Sequence, residues 1–209
     1  CTPLDATPLP RGSWLLELEL EGHHLVRYPV SLGRQERWDG VDDSGVLRTV
    51  PLPRADALAP DEVYVPAGWC IIGGDEKANY PQPGRRVWID ACFVQLHPVT
   101  NQQFLTFLDA LVADGREALA LQCVPRIRAG HHGGEAPMIY GRRPDGGFEL
   151  VADCDGDLWD PQWPAMMIDQ QSAWAYARWL GSRDQLPWRL PSEWEREKAA
   201  RGVDGRLFP

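Results

Sequence analysis

From Trp14 onward, apolar Trp14, Leu16, Leu18 and Leu20 alternate with Glu17, Glu19 and Glu21. Period two with one wet face predicts a β-strand half-buried on a core. Glu21-Gly22-His23-His24 reads as the turn, and Leu25-Val26-Arg27-Tyr28-Pro29-Val30 as the return strand. Pro29 assigns that run to an edge or a strand end, because proline has no N–H for a ladder. Residues from about 9 to 55 therefore form a small antiparallel β module, and the aperiodic stretch from Pro51 to Pro60 reads as a semi-rigid linker. The boundary falls there, giving a module with linker over 1–56 and a second domain over 57–209. In the second domain, Val63 to Gly68 predicts a strand, followed by Ile71-Ile72-Gly73-Gly74-Asp75 and a polar turn through Pro83-Gly84. Arg86 to Leu96 reads as a further extended run.

The period then changes. Thr100-Asn101-Gln102-Gln103 has the form of a capping box, in which a hydroxyl and an amide satisfy each other's backbone donors. Phe104, Phe107, Leu108 and Leu111 follow as one helical stripe that closes before Gly115. Residues 123 to 163 are the least regular. A second helix is predicted from about Gln170 to Leu180, with Gly181 as its stop. A third starts at the capping box Ser192-Glu193-Trp194-Glu195 and ends with Arg201 and Gly202. Short strands with a few helices make an α+β fold.

Composition narrows the function classes. With 44% hydrophobic and 24% charged residues in 209, the chain is an ordinary globular sequence rather than a disordered one. Twenty Gly, 19 Pro and 10 Trp predict a turn-rich fold held by aromatic wedges. A net charge of −9 repels phosphate backbones, which argues against a nucleic-acid partner. There is no apolar run of about 18 residues and so no membrane segment in this sequence. The N-terminus lacks the features of a signal peptide, and a chain that starts with Cys1 and stops at Leu207-Phe208-Pro209 reads as a piece of a longer polypeptide.

Candidate chemistry is sparse. Cys1, Cys70, Cys92, Cys123 and Cys154 are odd in number and far apart, so no disulfide framework is indicated, and unpaired cysteines suit a reducing cytoplasm. Cys70 and Cys92 lie in apolar runs, where the reading is a small buried hydrophobe rather than a reactive thiolate. The stretch Asp153-Cys154-Asp155-Gly156-Asp157 invites a calcium reading, but Pro164 stands where an EF-hand loop needs its bidentate carboxylate. A solvated turn is the better reading. The adjacent pairs His23-His24 and His131-His132 lack ligand spacing, and Glu193, Glu195 and Glu197, two apart on a helix, read as a solvated face. Nucleophile elbow, Walker loop, zincin helix, dinucleotide and kinase signatures are all absent. No catalytic, cofactor-binding or metal-ligating residue is assigned.

The order of motifs is more informative. Val65-Pro66-Ala67-Gly68 with Gly73-Gly74 comes first, then Val99-Thr100-Asn101-Gln102-Gln103-Phe104 with Phe107-Leu108. Trp163-Pro164 follows with the helix holding Ala173, Ala175-Tyr176 and Trp179-Leu180. Last comes Arg189-Leu190-Pro191-Ser192-Glu193 through Glu197-Lys198-Ala199-Ala200-Arg201-Gly202. In this order, over residues 62 to 209, the chain resembles the formylglycine-generating-enzyme, or sulfatase-modifying-factor, domain. The segment from Leu9 to Leu18 is similar to PEGA-like β modules, and the pair resembles an arrangement found after bacterial serine/threonine kinase domains. The resemblance implies the N-terminal part of a C-type-lectin-like fold. It also implies a family activity in which oxygen and a copper ion held by two cysteines convert a sulfatase cysteine to formylglycine. In the family, the copper cysteines and the calcium sites lie beyond the block that ends at Gly202, so copper and calcium belong to the complete domain and are carried onto no position here. One departure stands in the third helix: the family pattern has Glu before Trp, whereas Trp194, Glu195 and Arg196 occur here. A two-position shift turns the ring by about 200°, so either the helix packs differently or Arg196 buries only its stem.

Two readings of function stay open. The first is a non-catalytic domain binding a protein or peptide ligand for an upstream kinase. The second is a copper-dependent oxidase whose thiolates lie past residue 209. A sulfoxide synthase would need an iron-binding histidine cluster in a preceding helical domain, which this sequence does not supply. A piece lacking the C-terminal strands of such a fold is expected to expose apolar surface and an open sheet edge.

Overall fold

A computed structural model describes residues 7–127, 136–153 and 155–208. It contains eight short strands, paired two by two into four antiparallel sheets, and four helices among the described residues. The chain divides into two compact units, one made of Cys1–Leu96 with Pro191–Pro209, the other of His97–Leu190.

In the first unit, β1 (Gly12–Leu18) pairs with β2 (Val26–Leu32). The alternation predicted for this hairpin is realised: half-buried Trp14, Leu16 and Leu18 stand opposite Val30, Tyr28 and Val26, which are buried. The strand stops at Leu18, so Leu20 is exposed. Pro29 sits within β2 opposite Leu15, as a two-stranded ribbon permits. The Pro-rich stretch returns to the hairpin turn, where the His24 N–H donates to the Pro53 carbonyl at 2.8 Å and the Ala55 N–H to that of Gly22 at 2.9 Å.

Two expectations need correction here. The run from Val63 to Gly68 is not one strand, because β3 (Glu62–Val65) ends at Val65 and Gly68 opens β4 (Gly68–Ile72). The run from Arg86 to Leu96 is likewise two strands, β5 (Arg85–Ile89) and β6 (Cys92–Gln95), separated at exposed Asp90 and Ala91. β4 pairs with β5, and the β3–β6 pair encloses that hairpin in sequence. The pattern of apolar residues was continuous across both breaks, and only pairing partners distinguish the strands. Gly73 makes the bend after β4: its φ is +76°, and a Cβ there would lie 2.9 Å from the carbonyl oxygens of Gln82 and Pro83.

The second unit holds the larger core. α1 (Asn101–Ala113) begins with the predicted capping box, Thr100 and Gln103 each bonding the other's backbone N–H. Its stripe of Phe104, Leu105, Phe107, Leu108 and Leu111 is buried. Tyr176, on α3 (Gln170–Asp184), stacks on Phe104 at 5.7 Å between centroids and meets Phe107 edge-on at 5.6 Å. Phe107 and Leu108 are fully covered, each stabilising by about 1.5–3 kcal/mol through burial. α3 runs past the expected stop to Asp184, and Gln185 at φ +57° ends it. Gly181 is instead a point of close approach, where a Cβ would come within 2.8 Å of the Leu186 carbonyl oxygen.

The segment from 123 to 163, expected to be the least regular, contains a β-hairpin, and a further short helix precedes it. α2 (Glu117–Cys123) packs against α1 and α3, and β7 (Tyr140–Arg142) pairs with β8 (Phe148–Leu150). The turn residues Pro144-Asp145-Gly146-Gly147 close that hairpin, and Asp109 on α1 accepts from the Phe148 N–H at 2.8 Å and from Arg143 at 2.9 Å. These elements are three to seven residues long, too short for a periodic signal. Trp163, Met166, Met167 and Trp174 remain exposed on this unit.

One polar link anchors α1. Asn101 is fully buried; its amide N–H donates to the Asp160 carbonyl at 2.9 Å, and its oxygen accepts from the Tyr140 hydroxyl at 2.7 Å. Replacing Tyr140 with Phe keeps the ring and strands the amide oxygen. Urea denaturation of Tyr140→Phe is expected to show a loss of about 1–3 kcal/mol, and an unchanged midpoint would refute the anchor.

Candidate functional site

The motif that closes the first unit is α4 (Glu193–Arg201), which starts with the predicted capping box between Ser192 and Glu195 and stops at Gly202, φ +78°. Its inward face is polar. Lys198 is 3% exposed, and its ammonium donates to the carbonyl oxygens of Pro66 at 2.7 Å, Ile89 at 3.1 Å and Gly68 at 3.4 Å. Three donors on one nitrogen meet three carbonyls at the start of β4 and the end of β5. Burial pulls the ammonium below the ordinary lysine range, with the nearby Cys70, Cys92 and Asp90 opposing that shift. Glu197 accepts from the Gly73 N–H at 2.8 Å and pairs with Arg201, which also donates to the Gly73 carbonyl at 3.3 Å. The expected solvated carboxylate face is thus corrected in part: Glu193 is exposed, Glu195 serves the cap and Glu197 a half-buried ion pair. As for the Trp–Arg exchange, Trp194 stays 40% exposed beneath the Arg85 guanidinium at 4.8 Å, and Arg196 is exposed. The helix docks through Glu197, Lys198 and Arg201, none of which the exchange touches.

The motifs therefore meet in pairs. Val65-Pro66-Ala67-Gly68 and Gly73 are bonded to the block at 197–201. Val99-Thr100-Asn101 is bonded to Trp163-Pro164, through the Ala165 N–H to the Val99 carbonyl and the Asn101 N–H to the Trp163 carbonyl. Sequence reasoning missed Lys198 as the centre of the first knot. A Lys within an apolar-poor helix carries no periodic signal, and its acceptors lie about 130 residues upstream.

An open cleft of about 440 Å³ lies in the same unit. β2 contributes Tyr28 to Ser31, β4 contributes Trp69 to Ile71, and Gly33, Glu36 and Trp38 come from the loop after β2. Tyr28 and Trp38 are in ring contact at 5.3 Å, while Trp69 is fixed by its N–H bond to the Val41 carbonyl at 2.8 Å. The Arg86 guanidinium lies over the Trp69 ring at 5.0 Å, with Glu36 Oε1 4.0 Å from it. The other Glu36 oxygen accepts from the Gly33 N–H at 2.8 Å. Arg85, the next residue along β5, also lines the cleft. The lining is aromatic with a polar mouth and a volume in the usual ligand range.

The residues weighed for metal chemistry lie elsewhere. Cys70 is buried, donates to the Val87 carbonyl at 3.8 Å and has its thiol pushed up to about 11, mainly by burial. Cys123 is buried in the second unit with its thiol likewise raised by burial, and Cys92 is half-buried. Protonated, buried thiols do not fit the soft thiolate pair that a copper ion requires. Asp153 spends one oxygen on the N–H groups of Asp155 and Asp157 and the other on the Trp159 N–H, so the loop is an Asp-capped turn whose first carboxylate is already used. His23 bonds the Glu21 carbonyl, and His24 is half-buried with its Nε2 covered. Among the described residues no group of three or more His, Cys, Asp or Glu is placed to hold a metal ion. Cys1, Cys154 and His131-His132 lie outside the described residues.

Against known proteins, residues 48–209 match the family described as the sulfatase-modifying factor enzyme 1-like domain. The formylglycine-generating enzyme of Thermomonospora curvata is 26% identical over 179 residues, which is 77% of this chain and 55% of that protein. The Bos taurus formylglycine-generating enzyme is 28% identical over 166 residues, 70% of this chain and 41% of its own length. YfmG of Bacillus subtilis, an uncharacterized protein, is 28% identical over 159 residues, 70% of this chain and 26% of its own length. The chain thus spans about a quarter to just over half of the length of these relatives.

Lys198→Ala removes the three-way donor and leaves a cavity under β4. The expected loss is about 3 kcal/mol or more in urea denaturation, and a loss below about 1 kcal/mol would show that the carbonyls find other partners. A second link gives a pH signature. The Ser13 hydroxyl donates to Asp204 at 2.6 Å, and the Arg206 bonds, chiefly, hold that carboxyl well below its usual range. A depressed carboxyl stabilises fully above its ordinary pKa near 3.8 and loses that contribution as pH falls toward the folded value. In thermal melts from pH 6 downward, Asp204→Asn is expected to show a flatter decline on the acid limb than the parent chain.

Proposed function

The chain belongs to the sulfatase-modifying factor enzyme 1-like domain family, and from that premise we propose that it is a non-catalytic domain that binds a protein or peptide ligand for a signalling protein. The single observation that carries this reading is how the family motifs are used. Their distinctive side chains, Asn101, Glu197, Lys198 and Arg201, are all committed to backbone groups of the scaffold, while the open aromatic cleft has polar groups to spare. A scaffold that keeps its structural bonds and displays a cleft is suited to recognition. The β1–β2 hairpin supports a PEGA-like module over 1–56, preceding a C-type-lectin-like domain over 57–209, in a chain whose kinase domain lies upstream, in the cytoplasm.

A second reading is favoured by the two relatives named formylglycine-generating enzymes: a copper-dependent oxidase that converts a sulfatase cysteine to formylglycine. In it, the thiolate pair would come from outside the described residues. Copper would supply oxygen activation, and the residues of this chain would position the substrate peptide.

The two readings separate in one assay. The chain, expressed together with any sequence that follows Pro209 in its gene and supplied with Cu(I), oxygen and a thiol reductant, is incubated with a cysteine peptide of sulfatase sequence, and the product is analysed by mass spectrometry. The binding-domain reading expects the peptide mass unchanged. Appearance of the formylglycine aldehyde, trapped by a hydrazide, would establish the oxidase and end the first reading.

A further inference from the structure

We propose that the cleft between Trp38 and Trp69 binds an extended peptide presenting a carboxylate beside an aromatic side chain. This rests on the binding-domain reading and names the ligand class of that site. Half of the lining comes from residues 28 to 38, upstream of residue 48, where the family match begins. The site is therefore a property of this chain's N-terminal hairpin together with β4 and β5, rather than of the family domain alone.

Shape argues for a peptide. Consecutive residues of two strands line the cleft, Tyr28 to Ser31 on one side and Trp69 to Ile71 on the other. Four strand residues extend about 10 Å, so the trough has the length of a short extended segment. The exposed ring of Trp38 suits an aromatic or flat apolar side chain.

Charge argues for an acid. The Arg86 guanidinium lies over the Trp69 ring at 5.0 Å in the cleft lining, and its N–H groups suit a carboxylate. Glu36 forms only a long ion pair with Arg86, at 4.0 Å and beyond hydrogen-bond reach, and its other oxygen is held by Gly33. Of the charged residues that line the cleft, Arg85 and Arg86 outnumber Glu36, a locally cationic lining on a chain whose net charge is −9. No carboxylate stands within ion-pair distance of Arg85 among the described residues.

The test uses the full 209-residue chain and a fluorescein-labelled, capped octapeptide in which Phe alternates with Glu, read by fluorescence anisotropy. A second peptide carries Gln in place of Glu. The Phe/Glu peptide is expected to bind, the Phe/Gln peptide about tenfold or more weaker, and Arg86→Gln to lose a similar factor. Trp38→Ala should weaken both peptides, whereas Glu36→Gln should tighten the Phe/Glu peptide by removing a like charge. Near-UV circular dichroism of each variant verifies that the unit is folded, and the gain in Glu36→Gln cannot arise from unfolding. Equal binding by Arg86→Gln, or equal affinity for the two peptides, overturns the cleft assignment while leaving the binding-domain reading intact. Saturation by 3-phenylpropionate with the same Arg86 dependence, without peptide binding, makes the ligand a small acid and overturns the peptide. No binding of either probe up to about 1 mM overturns the site altogether. Formation of the aldehyde in the oxidation assay would defeat the underlying reading instead, whatever the anisotropy shows.

Discussion

The first unit depends on an ammonium ion that gathers three backbone carbonyls at the ends of its short strands. β4 and β5 are five residues each and belong to a two-stranded sheet, so little of their backbone can be satisfied by pairing. Lys198 reaches three of those oxygens with one nitrogen, Glu197 takes the Gly73 N–H, and Arg201 takes the Gly73 carbonyl. A small core of Cys70, Ile72, Ile89 and Val203 completes the contact. Desolvating a cation is costly, and only a geometry that supplies all of its acceptors offsets that cost. The bend at Gly73, the spacing of β4 and the rotation of α4 are therefore held to one another with little tolerance.

The second unit solves a related problem with a neutral group. Asn101 bonds both the Asp160 carbonyl and the Tyr140 hydroxyl from full burial, fixing the start of α1 against two distant segments. In both units a single buried polar side chain coordinates backbone from far along the chain, and the apolar core fills in around it. Such positions cannot drift without leaving buried polar groups unpaired, whereas the core can be repacked with other apolar residues.

What could be read from the sequence followed from the range of the interactions. Both capping boxes were legible because their partners lie three residues apart, and the first hairpin because its alternation is local. The short elements α2, β7 and β8 were not, since a three-residue strand has no period to read. Breaks between β3 and β4 and between β5 and β6 were invisible because the apolar pattern continues while the partner changes. Gly181 looked like a stop because the close passage of Leu186 cannot be seen from composition. Lys198 and Glu197 looked like ordinary surface charges for the same reason: their partners sit more than 100 residues away. The cleft was illegible on its own, being assembled from three stretches that carry no shared motif.

The first unit is discontinuous in sequence: its strands end by Leu96, while the helix that satisfies them begins after Pro191. A ribosome adding about 5–20 residues per second takes roughly 5–20 s to make the intervening stretch. For that interval the second unit can fold as a continuous piece, whereas the carbonyls of Pro66, Gly68 and Ile89 lack the ammonium that gathers them in the finished fold. The β4–β5 hairpin must then wait in a partly formed state until α4 emerges. A nascent-chain chaperone or a premature pairing partner would find its opening there, and completion of the fold is timed by the arrival of one lysine.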